Sequence, residues 1–82
     1  MVALVLAIAL APPPVDVHGT VVSVDRAHNL VVVHHRAHAG MAMEMEMAVR
    51  MRDRSALAQL KPGTAVRLLC DQARNPWVCV RR

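Results

Sequence analysis

Residues 40–51 read Gly40-Met41-Ala42-Met43-Glu44-Met45-Glu46-Met47-Ala48-Val49-Arg50-Met51, GMAMEMEMAVRM. In an extended chain successive side chains point to opposite faces. Met41, Met43, Met45, Met47, Val49 and Met51 then share one face, and Glu44 and Glu46 lie on the other. A helix would scatter the thioethers around its axis and mix the carboxylates among them. The alternation therefore predicts a strand from Met41 or Met43 to Met51. It does so against the intrinsic preference of Met, Glu and Ala for helix.

Working outward, the neighbouring segments also read as short strands. Val17 to Asp25, VHGTVVSVD, is rich in β-branched residues. Arg26-Ala27-His28-Asn29 is a polar turn. Leu30 to His35, LVVVHH, is apolar on both faces, as a strand buried in a small barrel would be. Arg36 to Gly40 is a loop. After the methionine strand, Ser55 to Leu60 suits one helical turn with Ser55 as its cap, and Lys61-Pro62-Gly63-Thr64 is a turn. Ala65 to Cys70 and Trp77 to Arg81 are the last two strands, joined by a hairpin over Asp71 to Pro76. The expected fold is all-β: a small five-stranded antiparallel barrel of OB type with one short helical turn.

Residues 1–15 differ from the rest. Val2 to Ala11, VALVLAIALA, carries no charge, and Pro12-Pro13-Pro14 stops any helix. Ten residues are too few to span a bilayer as a helix. The run matches the apolar heart of an export signal, with Ala9-Leu10-Ala11 in the form of a cleavage site, although no Lys or Arg precedes it. Residues 1–15 are expected to be a signal-like or disordered segment, and residues 16–82 the barrel domain. About 67 residues then remain of the 82, so the core is thin and gains from a staple, a metal or a partner. That core draws on Val, Leu, Ala and Met, because Trp77 is the only aromatic residue.

Cys70 and Cys79 flank the last hairpin. With the turn centred on Arg74-Asn75 they face one another across two strands, which suits a disulfide in an exported domain. The other use of the pair is as two thiolates on a metal.

Sulfur is over-used in the third strand. Elsewhere the chain fills apolar positions with Val, Leu and Ala, yet five of its six methionines fall in residues 41–51. A Met-lined face is ordinarily core. A neutral thioether is also a soft ligand that suits Cu(I) and Ag(I) and discriminates against Mg and Ca. Unlike thiols, thioethers are not lost to disulfides in an oxidising compartment. Methionines two apart on a strand put both sulfurs on one side, roughly 7 Å apart at the backbone. An imidazole from the next strand, His34 or His35, would complete a trigonal site. A rival set, His34, His35 and His38, would hold Zn or Cu(II) by nitrogen alone but leaves the methionines without a role.

These residues resemble the CusF family of small periplasmic copper- and silver-binding proteins. The likeness lies in GTVVSVD followed by LVVVHH, in His35 followed by Gly40 and Met45-Glu46-Met47, and in Leu60-Lys61-Pro62-Gly63-Thr64-Ala65-Val66. It covers roughly residues 17–81. It implies an OB-type barrel binding one Cu(I) or Ag(I) through His35, Met45 and Met47, and passing it to metal-efflux components in the periplasm. Two departures stand out: Ala48 and Val49 follow Met47 where the family often has Pro and Phe, and Ala42 occupies a position held in some members by a Trp that caps the ion. Met43, Met41 and His34 are further candidate ligands.

A net charge of +4 allows an alternative, an OB-type nucleic-acid-binding module. Such sites stack bases on aromatic platforms, and one Trp is a poor supply. No nucleic acid and no small-molecule substrate are expected. Asp25, Asp53 and Asp71 are scattered, and no Ser or Cys sits in an activated setting, so no catalytic residue and no enzyme activity is expected. A monomer is expected. A structural barrel without metal remains the plain alternative, if the methionines are only core.

Overall fold

The computed structural model describes residues 13–36 and 44–82. Five strands follow in chain order: β1 (Val15–Asp25), β2 (Leu30–His35), β3 (Met45–Met51), β4 (Ala65–Asp71) and β5 (Val78–Arg81). They close into a barrel with the strand order β1-β2-β3-β5-β4. The all-β, OB-type barrel expected from the sequence is the fold observed.

Alternation explains which side chains fill it. Val17, Val21, Val31, Val33, Val49, Met51, Val66 and Leu68 are buried, and their neighbours in each strand face outward. β1 pairs with β2 from Gly19 to Asp25 and with β4 from Val15 to Thr20. Such a long strand serves two neighbours only by bending. A register shift between Val21 and Ser23 supplies the bend, and Val22 there is pushed out to 40% exposure.

The pairings are antiparallel except one. β3 and β5 run parallel, over Arg50↔Val78 and Met51↔Cys79. A ring with an odd number of strands cannot alternate direction all the way round, so a closed five-stranded barrel needs one parallel seam. Beyond that pair, among the described residues, β3 is joined to a strand on its β2 side alone.

The connections hold three local corrections. The turn before β4 is a 3₁₀ helix over Arg54–Gln59 whose N-cap is Asp53, so Ser55 lies inside it and is not the cap. Leu57 and Leu60 from this segment plug the barrel at 2% and 1% exposure. β1 begins at Val15, two residues before the expected start, because β4 pairs with it there. β5 begins at Val78, and Trp77 packs half-buried against the core just ahead of it. In the first turn Asn29 has φ 58°, a left-handed conformation that Asn tolerates. Its amide donates to the Met51 carbonyl, which ties the turn to the end of β3.

Cys70 and Cys79 sit opposite each other in the β4–β5 ladder and are joined, with an S–S distance of 2.00 Å. Closing a loop of nine residues' separation stabilises by about 2–3 kcal/mol in the loop-entropy model.

Candidate metal centre

The β2–β3 ladder decides which candidate ligands meet. His35 pairs with Met45, His34 with Glu46, and Val33 with Met47. Paired residues in a ladder project to the same side of the sheet. Val33 is buried in the barrel interior, so Met47 opposite it and His35 two residues along face inward too. Met45, opposite His35, completes the row. Directly opposed side chains begin about 4.5–5.5 Å apart at Cβ, and a diagonal neighbour about 7–8 Å away. Both spans lie within the reach of a methionine.

Burial grades across the three. His35 is fully buried, Met47 is half-buried, and Met45 is 43% exposed. Nitrogen is thus at the floor and one thioether at the rim of the same barrel mouth. His35 Nδ1 lies 2.7 Å from the Arg36 carbonyl oxygen. A carbonyl can only accept, so Nδ1 carries the proton and donates. In the neutral ring that leaves the lone pair on Nε2, the tautomer a metal-binding imidazole uses when a carbonyl orients it. The Arg36 N–H in turn donates to the His18 carbonyl at 2.9 Å, which pins the end of β2 to β1.

One residue escaped the sequence reading. Gly19 pairs with His35 on one side and Val66 on the other. A Cβ added there would collide with the His34 carbonyl oxygen and come within 2.8 Å of Val33 Cγ1. The β1 backbone can approach the His35 end of β2 this closely only because position 19 has no side chain. A lone glycine inside the β-branched run VHGTVV was the available signal.

The other candidates separate. His34 faces the outer side, with Nε2 3.8 Å from Glu44 Oε2, so two adjacent imidazoles of a regular strand do not converge on one ion. Met41, Met43 and His38 lie outside the described residues, and with them the full His34–His35–His38 set. Among the described residues no three His, Cys, Asp or Glu side chains form a cluster able to hold a metal. Trp77 belongs to the far end: its carbonyl accepts the Arg50 N–H at 2.7 Å, and Arg50 is roughly 17 Å along the strand from Met45. No aromatic lid reaches the mouth from there.

This arrangement has the chemistry of a soft-ion cradle: two thioether sulfurs, one imidazole nitrogen and no carboxylate on the inner face of the pair. Residues 14–78 match the family model described as copper binding periplasmic protein CusF. Neither the curated proteins nor the solved structures gave a match.

Proposed function

Since the chain belongs to the CusF family of copper-binding periplasmic proteins, we propose that it is a carrier of Cu(I), with Ag(I) as its chemical analogue, and that His35 Nε2, Met45 Sδ and Met47 Sδ are the ligands. The observation that supports this most is the ladder register: His35 opposite Met45, with Met47 next along the same inner face. Three neutral donors suit a monovalent ion. A divalent one would bring more charge into a partly buried site that offers no anion to offset it.

The gradient of exposure suggests how the ion moves. Met45 at the rim is the side chain an incoming ion meets first and the one a receiving protein can displace first. Met47 and the buried His35 hold the ion meanwhile. Such exchange needs no covalent chemistry, and the protein acts as a monomeric carrier without turnover. The receiving partner is a metal-efflux component in the periplasm. The apolar run Val2 to Ala11 serves as the export segment of that route, and the carrier includes the whole of β1 from Val15.

The test is a titration of the Met45→Ile, Met47→Ile double variant with Cu(I) under a competing chelator. Isoleucine keeps the apolar bulk and suits a strand, so the fold is expected to persist while affinity falls by more than about a hundredfold. Unchanged affinity would reject the ligand assignment.

A further inference from the structure

The inner face of β3 carries sulfur at its other end as well. Met51 closes the strand on that face, 1% exposed, and pairs with Cys79 across the parallel seam. Cys79 pairs with Cys70 in the next ladder, and both are fully buried in the same core cluster. Three neighbouring strands thus bring three sulfur side chains together. Met51 lies roughly 20 Å along β3 from Met45, so this group is separate from the mouth that holds His35.

We propose that opening the disulfide converts Cys70, Cys79 and Met51 into a second soft-metal site that takes one Cu(I) or Ag(I). In the oxidised chain the two cysteine sulfurs are bonded to each other and supply no thiolate. A dithiol reductant opens them by exchange. One of its thiolates attacks a cysteine sulfur to give a mixed disulfide. Its second thiol then displaces the protein sulfur. The reductant leaves as a disulfide, having given two electrons, and Cys70 and Cys79 are left as thiols. Binding of the ion displaces two protons, and a two-thiolate, one-thioether set forms around it. Thiolate binds Cu(I) more strongly than thioether does.

The surroundings bear on both steps. A surface cavity of about 410 Å3 has Cys70 in its wall together with Arg52 and Arg74. Both cysteines are fully buried and face inward, away from this cavity, so the reductant reaches the bond when the short strand β5 opens from β4. Asp71 lines the cavity too, with Oδ2 3.9 Å from Arg74 Nε, so two guanidinium groups and one carboxylate leave the wall positive, the sign that offsets the single negative charge of the filled site. The oxidised carrier then holds one ion, and the reduced carrier two. This second site stands on the β3–β5–β4 register and does not require the Met45–Met47 assignment to hold.

The experiment counts Ag(I) by native mass spectrometry, with silver nitrate added to protein reduced by a phosphine that is then removed without air. The Met45→Ile, Met47→Ile variant should bind no ion when oxidised and one when reduced, and the parent one and two. Adding Cys70→Ser and Cys79→Ser should abolish binding in both states, and Met51→Leu should weaken the second site at least tenfold. Silver should also restore a native far-UV dichroism spectrum and raise the melting temperature of the reduced chain. A reduced Met45→Ile, Met47→Ile chain that binds no ion overturns the proposal, as does one that binds silver while remaining unfolded, or Met51→Leu binding at parental affinity. Failure of the oxidised parent to bind, with the reduced chain taking one ion, would count against the mouth site alone.

Discussion

Gly19→Ala should be among the most damaging single-methyl changes in this chain. The added Cβ would overlap the His34 carbonyl oxygen and approach Val33 Cγ1 at 2.8 Å and the His34 carbonyl carbon at 3.0 Å. Two of those three atoms are backbone, so relief cannot come from a rotamer change. β1 must move away from β2 at the point where Gly19 pairs with both His35 and Val66. Overpacking a tight site costs about 1–3 kcal/mol, and a backbone clash belongs at the upper end, about 3 kcal/mol. A domain of this size is stable by about 3–10 kcal/mol, so the loss is a large share of the total. With about 4–8 °C lost per kcal/mol in a small domain, the melting temperature should fall by about 12–24 °C. Thermal unfolding of the oxidised, metal-free protein followed by far-UV dichroism measures it. A second consequence is local: moving β1 disturbs the His18 carbonyl that holds Arg36 N–H, and through it the His35 ring. Metal affinity should therefore fall even below the new melting temperature. A shift smaller than about 3 °C would show that β1 and β2 are not in the close contact described.

Two further outcomes follow from the same geometry. His35→Gln should lower Cu(I) affinity by more than about a hundredfold, since even loss of a residue that only supports a ligand costs about 10–100-fold, whereas His34→Ala on the outer face should stay within about twofold; competition titration distinguishes them, and equal losses would contradict the register. Acid stability should follow the two perturbed carboxylates. The hydrogen bond from the Arg82 guanidinium, 2.6 Å away, holds the Asp16 carboxyl below its ordinary value, and the His28 ring does the same for Asp25. A depressed folded value means the stabilisation is present above the ordinary carboxylate range and is lost as pH falls through the lowered value. Asp16→Asn should thus melt slightly below the parent at pH 7 and converge with it towards about pH 2. A gap that widens in acid would reverse the sign of the argument.

Much of the barrel could be read directly from side-chain alternation. Val17 to Asp25, Leu30 to His35 and the segment from Met41 or Met43 to Met51 read as strands because apolar residues recur at every second position or fill both faces; the structure keeps the first two and, of the third, Met45 to Met51, with Met41 and Met43 outside the described residues. The parts that escaped depend on contacts between distant segments. β1 gains Val15 and Asp16 because β4 is there to pair with them. The parallel seam is a closure requirement of the whole ring. Ser55 fits a cap by residue type, yet the cap of the 3₁₀ helix is Asp53, two residues earlier, without a side-chain cap hydrogen bond.

The candidate site divides in the same way. Alternation alone puts Met45 and Met47 on one face, and puts His34 and His35 on opposite faces. It does not say which histidine shares the methionine side. That depends on the pairing of β2 with β3, which is set by the loop between them and by which face of β2 the core accepts. Val33 is buried and His35 lies two residues on, so His35 goes inward. Gly19 stands out in the sequence only as a lone glycine in a β-branched run; its role, to be small beside a partner 16 positions away, shows only once β1 and β2 are paired.

The most direct measurement is the copper K-edge X-ray absorption fine structure of the oxidised, Cu(I)-loaded protein, recorded beside the Met47→Ile variant. A His35–Met45–Met47 site requires a shell of two sulfur neighbours and one nitrogen neighbour for the parent, and one sulfur fewer for the variant with the nitrogen retained. A shell built from nitrogen and oxygen alone, or a parental shell unaltered by Met47→Ile, would contradict it.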